Sequence, residues 1–282
     1  MGVVAEIERQ LARQRLRDGA DAGDGTELRT STMTHVVWAP PRWLQQARAT
    51  FAQLEERHPA RTLFLIPEPG RRARVEAEAS LRDVKVDGLS REVFSEVVEI
   101  RLFGKAARHP ASIVLPLLIP DLPAYCRWRG RPPWDASELD EILGVVDRLV
   151  VDSWEWAGLP RAYRRLEALF DRVAVSDIAF RRLLPWRLRL AESWPEIGKA
   201  SRLNVVGPRA DSLLLAGWLR SRLRRDVSLS REDTDFVQAV SVDGSPVEPP
   251  LGDAPGPGDL LSAELDVLGR DRVYEAAVRA AR

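Results

Sequence analysis

Apolar and polar positions along the chain alternate between the periods of helix and strand. Val3, Ile7 and Leu11 recur at helical spacing, with Leu16 on the same side, and predict an amphipathic helix over residues 3–17. The Gly/Asp run from 18 to 27 then reads as a linker. Residues 34–38 are strand-like and stop at Pro40-Pro41, after which Leu44, Ala47, Phe51 and Leu54 predict a helix over 42–57. The apolar run 62–66 between Pro59 and Pro67 suits a buried strand. Val75, Ala77, Ala79 and Leu81 alternate with polar residues, as do Val98, Ile100 and Leu102, giving two strands with one wet face each. Neighbouring strands in this first part are expected to run antiparallel.

Further along, a buried helix is predicted near 110–118 and a strand at 123–128. Asp135 and Glu138 have capping-box spacing and predict a helix running to 147. Residues 148–152 read as a strand that ends on Asp152. Tyr163, Leu166, Phe170 and Val173 mark a helix, and 178–194 mark another that Pro185 interrupts. A strand at 203–206 precedes an apolar helix over 211–224. The tail holds strand-like pieces at 226–230, 235–242 and 259–267 and a short helix over 271–280. This alternation predicts an α/β fold with mixed sheets flanked by helices, in two subdomains. The expected divisions are an N-terminal helix and flexible linker (1–28), a first α/β domain (29–158) and a second (159–282).

Composition removes several function classes. Lys+Arg and Asp+Glu both number 42, so there is no excess positive charge for a nucleic-acid binder that works by neutralising phosphates. No apolar run approaches the ~18 residues of a membrane span, and the charged N-terminus lacks the apolar centre of a signal peptide. A cytoplasmic location without membrane contact is therefore expected. Cys126 is the only cysteine, which excludes an intramolecular disulfide and a CxxC pair.

The catalytic templates fail as well. His35, His58 and His109 lie in different elements without HExxH spacing, so no metal site is expected. GxSxG is absent, Gly198-Lys199 lacks the rest of a phosphate loop, and Gly256-Pro-Gly258 lacks the third glycine of a dinucleotide fingerprint. No catalytic residue and no cofactor follow from these patterns. Arg181, Arg182, Arg187 and Arg189 crowd one predicted helix and Arg220, Arg222, Arg224 and Arg225 another; each set reads as a solvated face or as an anion site. Asp152 and Asp177 remain the carboxylates to consider as bases; otherwise Asp152 reads as a local cap or pair and Asp177 as the helix-spaced partner of Arg181.

The segment IPDLPAYCRWRGRPPW, 119–134, is the best candidate for recognition. Its prolines preset the chain, and Trp and Arg are enriched at binding hot spots. Trp128, Arg129 and Arg131, with Arg187 from the arginine-rich helix, are the candidate partner-binding residues. The alternative is tryptophans packed beneath a proline-stiffened loop.

The segments HPARTLFLI (58–66), HPASIVLPLLIPDLPAYCRWRG (109–130), RLVVDS (148–153), DIAFRRLLPWRLRLAESW (177–194) and LLLAGWLRSRL (213–223) carry a family resemblance. In these stretches the chain is similar to the glucose-6-phosphate dehydrogenase assembly proteins, the OpcA family. The resemblance implies a non-enzymatic partner of that dehydrogenase, which promotes its active oligomer or activates it allosterically. Where the resemblance places a second aromatic beside the tryptophan of WRG, this chain has Arg127. Members linked to thiol regulation carry more than one cysteine, so no intrachain redox switch is expected here. The competing reading is an enzyme or sensor for a phosphorylated sugar or nucleotide, with an arginine cluster on the phosphate and Asp152 or Asp177 as base. A pure scaffold is a third.

Overall fold

The computed structural model describes residues 2–17, 31–54, 57–70, 72–84, 93–267 and 269–282; the expected linker lies outside them. In chain order the first elements are α1 (Val3–Arg17), β1 (Met33–Trp38), α2 (Pro41–Ala52), β2 (Ala60–Glu68), β3 (Arg74–Val84), β4 (Val93–Phe103), α3 (Ala111–Val114), β5 (Ala124–Trp128), α4 (Ser137–Leu143) and β6 (Arg148–Val151). They continue with α5 (Arg161–Glu167), β7 (Ala174–Asp177), α6 (Ile178–Arg182), α7 (Leu184–Glu192), β8 (Arg202–Val206), α8 (Arg209–Leu223), β9 (Ser228–Glu232), β10 (Ala239–Val242), β11 (Ser245–Pro246), α9 (Pro257–Leu265) and α10 (Arg272–Ala280). The strands form two mixed sheets, of seven and four strands, flanked by helices, so the fold is α/β as expected. Two compact units are present. Unit 1 is Met1–Leu149 with Pro257–Asp266, and unit 2 is Val150–Gly256 with Val267–Arg282.

In unit 1 the strand order is β3-β4-β2-β1-β5. β1 runs parallel to both β2 and β5, and β2 runs parallel to β4. The expectation of antiparallel neighbours is thus corrected for all but β3, which pairs antiparallel with β4 from Arg74↔Phe103 to Val84↔Val93. The reason is the connection: α2 is long enough to carry the chain back over the sheet, and such a crossover makes β1 and β2 parallel. Leu44, Ala47 and Phe51 of α2 pack on Val37, Phe64, Ile66 and Val97 of the sheet. Phe51 meets Phe64 edge-on at 5.5 Å.

α1 covers the sheet edge. Ile7 and Leu11 are fully buried. Gln14 donates to the Ala79 carbonyl (2.8 Å) and accepts from Leu81 N–H (2.8 Å), while Gln10 accepts from Ala79 N–H (3.0 Å). Edge groups that would otherwise template another strand are paired in this way. The stretch read as a strand at 259–267 is instead the helix α9, with Leu260, Leu261 and Leu265 buried on one side. Two adjacent leucines followed four residues later by a third fit a helical face better than a strict alternation. The predicted capping box also fails: α4 starts at Ser137 on an Ala136 cap without a side-chain bond and ends at Leu143. The Pro133–Ala136 turn takes up Asp135 (Ala136 N–H to Pro133 O, 2.9 Å).

In unit 2 the four-stranded sheet runs β11-β10-β8-β9, with β8 antiparallel to β10 and parallel to β9. The helix is interrupted at Leu183, and Pro185 sits in the first turn of α7, where its missing N–H leaves no helical bond unmade. α8 is buried from Ala210 to Leu219, and α10 lies against it so closely that a Cβ at Gly217 would sit 2.2 Å from the Ala277 carbonyl. Arg220 is engaged within the chain: it donates to the carbonyls of Val227 (2.8 Å) and Ala280 (3.0 Å) and lies 3.6 Å from the Asp226 carboxylate. Among the described residues no helix is long and apolar enough to cross a membrane.

Candidate functional site

From β1 the chain moves to β2 on one side of it and only later reaches β5 on the other. Such a switch in direction opens a crevice at the carboxyl ends of parallel strands, where α/β folds bind ligands. At this edge the rings of Trp38 and Trp128 stack at 4.6 Å and 15°. Every residue of β5 is buried, and Trp128 is 1% exposed. The exposed tryptophan expected there is therefore corrected. A strand covered on both faces has no side left for solvent, and Trp128 supports the edge from beneath.

The arginines after it differ from one another. Arg129 N–H bonds the Trp38 carbonyl (2.9 Å), and its buried guanidinium lies 4.7 Å from the Trp43 ring centroid and donates to Gln46 Oε1 (2.9 Å). Arg42 approaches the same ring at 5.8 Å. Gly130, at φ +77°, lets this turn close, since a Cβ there would meet Trp43 Nε1 at 3.0 Å. Arg131 is exposed. Arg127, in place of the second aromatic, is buried and donates to the Trp128 carbonyl at 2.6 Å. Cys126 is fully buried, and burial pushes its thiol up to about 12, which disfavours the reactive thiolate.

A cleft of about 450 Å³ opens over the ends of β1, β2 and β4. Trp38, Pro67 and Pro69 supply apolar wall, Lys105 and Arg108 two cations, and Glu138 of α4 a carboxylate. Reading the sequence alone missed this site, because its residues are scattered over a hundred positions. The rarity of lysine, at Lys105 among three, was the one signal available.

In unit 2, Arg187 is half-buried, its guanidinium 3.8 Å from the Phe180 ring centroid and donating to the Phe180 carbonyl (3.2 Å). On the same helix, Leu184 (37% exposed) and Leu188 (55%) share a face one turn apart, followed by Trp194 at 68%. This apolar helix face with flanking arginines was not anticipated as such, although its residues lie in a segment the sequence singled out.

Asp152 and Asp177 are both sealed inside unit 2. Arg182 bridges Asp152 (3.1 Å) and Asp211 (3.3 Å). Asp177 accepts from the N–H groups of Ser153 (3.0 Å) and Ala179 (2.9 Å) and from Tyr274 O–H (3.2 Å). Asp152 accepts from Trp154 N–H (3.2 Å). Burial, then the charge of Asp152, raises Asp177 to about 7. Burial also raises Asp211 to about 7, opposed by Arg182. At 2% exposure, Asp177 acts as a helix cap and tie rather than as a base that meets substrate. Elsewhere His58 bonds Ser262 Oγ (2.7 Å) and His109 bonds Glu141 (2.7 Å). Among the described residues no three His, Cys, Asp or Glu side chains are grouped to hold a metal.

The α/β fold thus carries a polar cleft at the strand ends of unit 1, and the acidic cluster of unit 2 is buried. Residues 51–168 match the family described as glucose-6-phosphate dehydrogenase subunit N-terminal domain. This stretch is therefore similar to that family, in keeping with the sequence resemblance to the OpcA assembly proteins. No curated protein matches the chain.

Proposed function

We propose that this chain is a non-catalytic assembly factor that binds glucose-6-phosphate dehydrogenase and favours its active oligomer. The family match over residues 51–168 carries the reading. Geometry supports it: Leu184 and Leu188, one turn apart on α7, are exposed apolar side chains of a kind that marks protein contacts. Arg187, held against Phe180, is preorganised beside them and loses little freedom on binding. Arg131 is the exposed member of the strand-end group and a second contact candidate, while Trp128 and Arg129 keep that edge rigid.

The mechanism is a population shift. A partner that binds the active oligomer better than the inactive form moves the equilibrium by that difference alone, about tenfold for each 1.4 kcal/mol. The site of contact is tested by affinity capture of the dehydrogenase on immobilised protein. Leu184→Asp/Leu188→Asp is expected to weaken capture at least about tenfold, since two charges would have to be desolvated at an apolar contact. Capture unchanged by this pair would remove the α7 face from the proposal.

A further inference from the structure

We propose that the cleft at the strand ends of unit 1 binds a small phosphorylated polyol, a sugar phosphate of hexose size. The cleft sits over the carboxyl ends of β1, β2 and β4, where open α/β sheets place ligands. Its volume of about 450 Å³ falls within the usual range for small-molecule sites.

The chemistry of the walls selects the ligand. Lys105 and Arg108 lie in a single 3₁₀ turn, Gly104–Arg108. In a 3₁₀ helix residues i and i+3 eclipse, so both cations project to the same side. Among the described residues neither is engaged in an ion pair. Two unpaired cations side by side on one wall match the charge of a phosphate. Glu138 lines the same cleft and would repel a purely anionic ligand, but its oxygens accept hydrogen bonds from hydroxyl groups. A ligand with a phosphate at one end and hydroxyls at the other satisfies both. Pro67, Pro69 and the edge of Trp38 give the C–H face of a sugar something apolar to cover. Trp38 is only 4% exposed and already stacked on Trp128, so it offers no open ring for a nucleobase, which disfavours a nucleotide.

The test uses the full chain with no partner enzyme, so it is independent of the assembly reading. Calorimetric titration with glucose 6-phosphate is expected to give saturable binding. Glucose and inorganic phosphate, each carrying half of the recognised chemistry, are expected to bind at least about tenfold more weakly. Lys105→Ala/Arg108→Ala is expected to weaken glucose 6-phosphate at least about tenfold with an unchanged melting temperature, both side chains being exposed. Absence of binding by glucose 6-phosphate, binding that survives the double variant, or inorganic phosphate binding as tightly as the sugar phosphate would each overturn the proposal.

Discussion

Trp128 and Arg131 are three positions apart in one segment and have opposite environments. Trp128 fills a core position against Trp38, whereas Arg131 stands in solvent. Trp128→Ala is expected to cost about 3–5 kcal/mol of unfolding free energy, as large aromatic truncations in cores do. Arg131→Ala is expected to stay within about 0.5 kcal/mol. Urea denaturation of the two variants checks both, and equal costs would contradict the assignment. The strand character of 124–128 was legible from its residues. Its burial on both faces was not, because burial depends on elements distant in the chain. Composition marked the segment as unusual without telling which tryptophan is covered.

At the scale of elements, helices and strands with strong periodicity emerged where the pattern placed them, α1, α8 and α10 among them. The misreadings have local causes. Strand direction in unit 1 depends on which connections cross the sheet, and that is a property of packing rather than of alternation. The leucines of α9 carry too short a run for the two periods to be separated. Gly217 shows the reverse case, a residue whose role appears only in packing. Gly217→Val would drive a side chain into the backbone of α10 at Ala277 and Ala281. A loss of about 3 kcal/mol or more is expected, the upper range of overpacking because the obstruction is backbone. Thermal melting checks it, and a melting temperature equal to that of the parent would show that the helices do not approach so closely.

Over a whole unit, the acidic cluster couples stability to pH. Asp177 and Asp211 have folded-state values of about 7, above their ordinary 3.8. They face Asp152, Arg182, Ser153, Tyr163 and Tyr274, contributed by several elements of unit 2. A raised carboxyl value means that the fold prefers the protonated form. Its stabilisation is complete below the ordinary value and is lost as pH rises through about 7. Unfolding free energy is therefore expected to fall by on the order of 1 kcal/mol between about pH 6 and pH 8. Asp211→Asn, which removes one titrating group and its charge, is expected to make that slope shallower. Stability that rises over this interval, or a slope unchanged in the variant, would contradict the arrangement. None of this cluster was legible as a unit, since Asp211 and Tyr274 join it only through the fold; Asp152 alone was visible as a carboxylate at a strand end, and Asp177 only as a carboxylate at helix spacing from Arg181.

In the proposed function the chain acts on glucose-6-phosphate dehydrogenase by binding it. The most direct measurement is steady-state kinetics of that enzyme, with and without equimolar protein, alongside sedimentation of the same mixtures. A larger fraction of the higher oligomer together with a raised kcat or a lowered KM is predicted. An enzyme whose kcat, KM and oligomer distribution are all indifferent to the added chain would contradict the account.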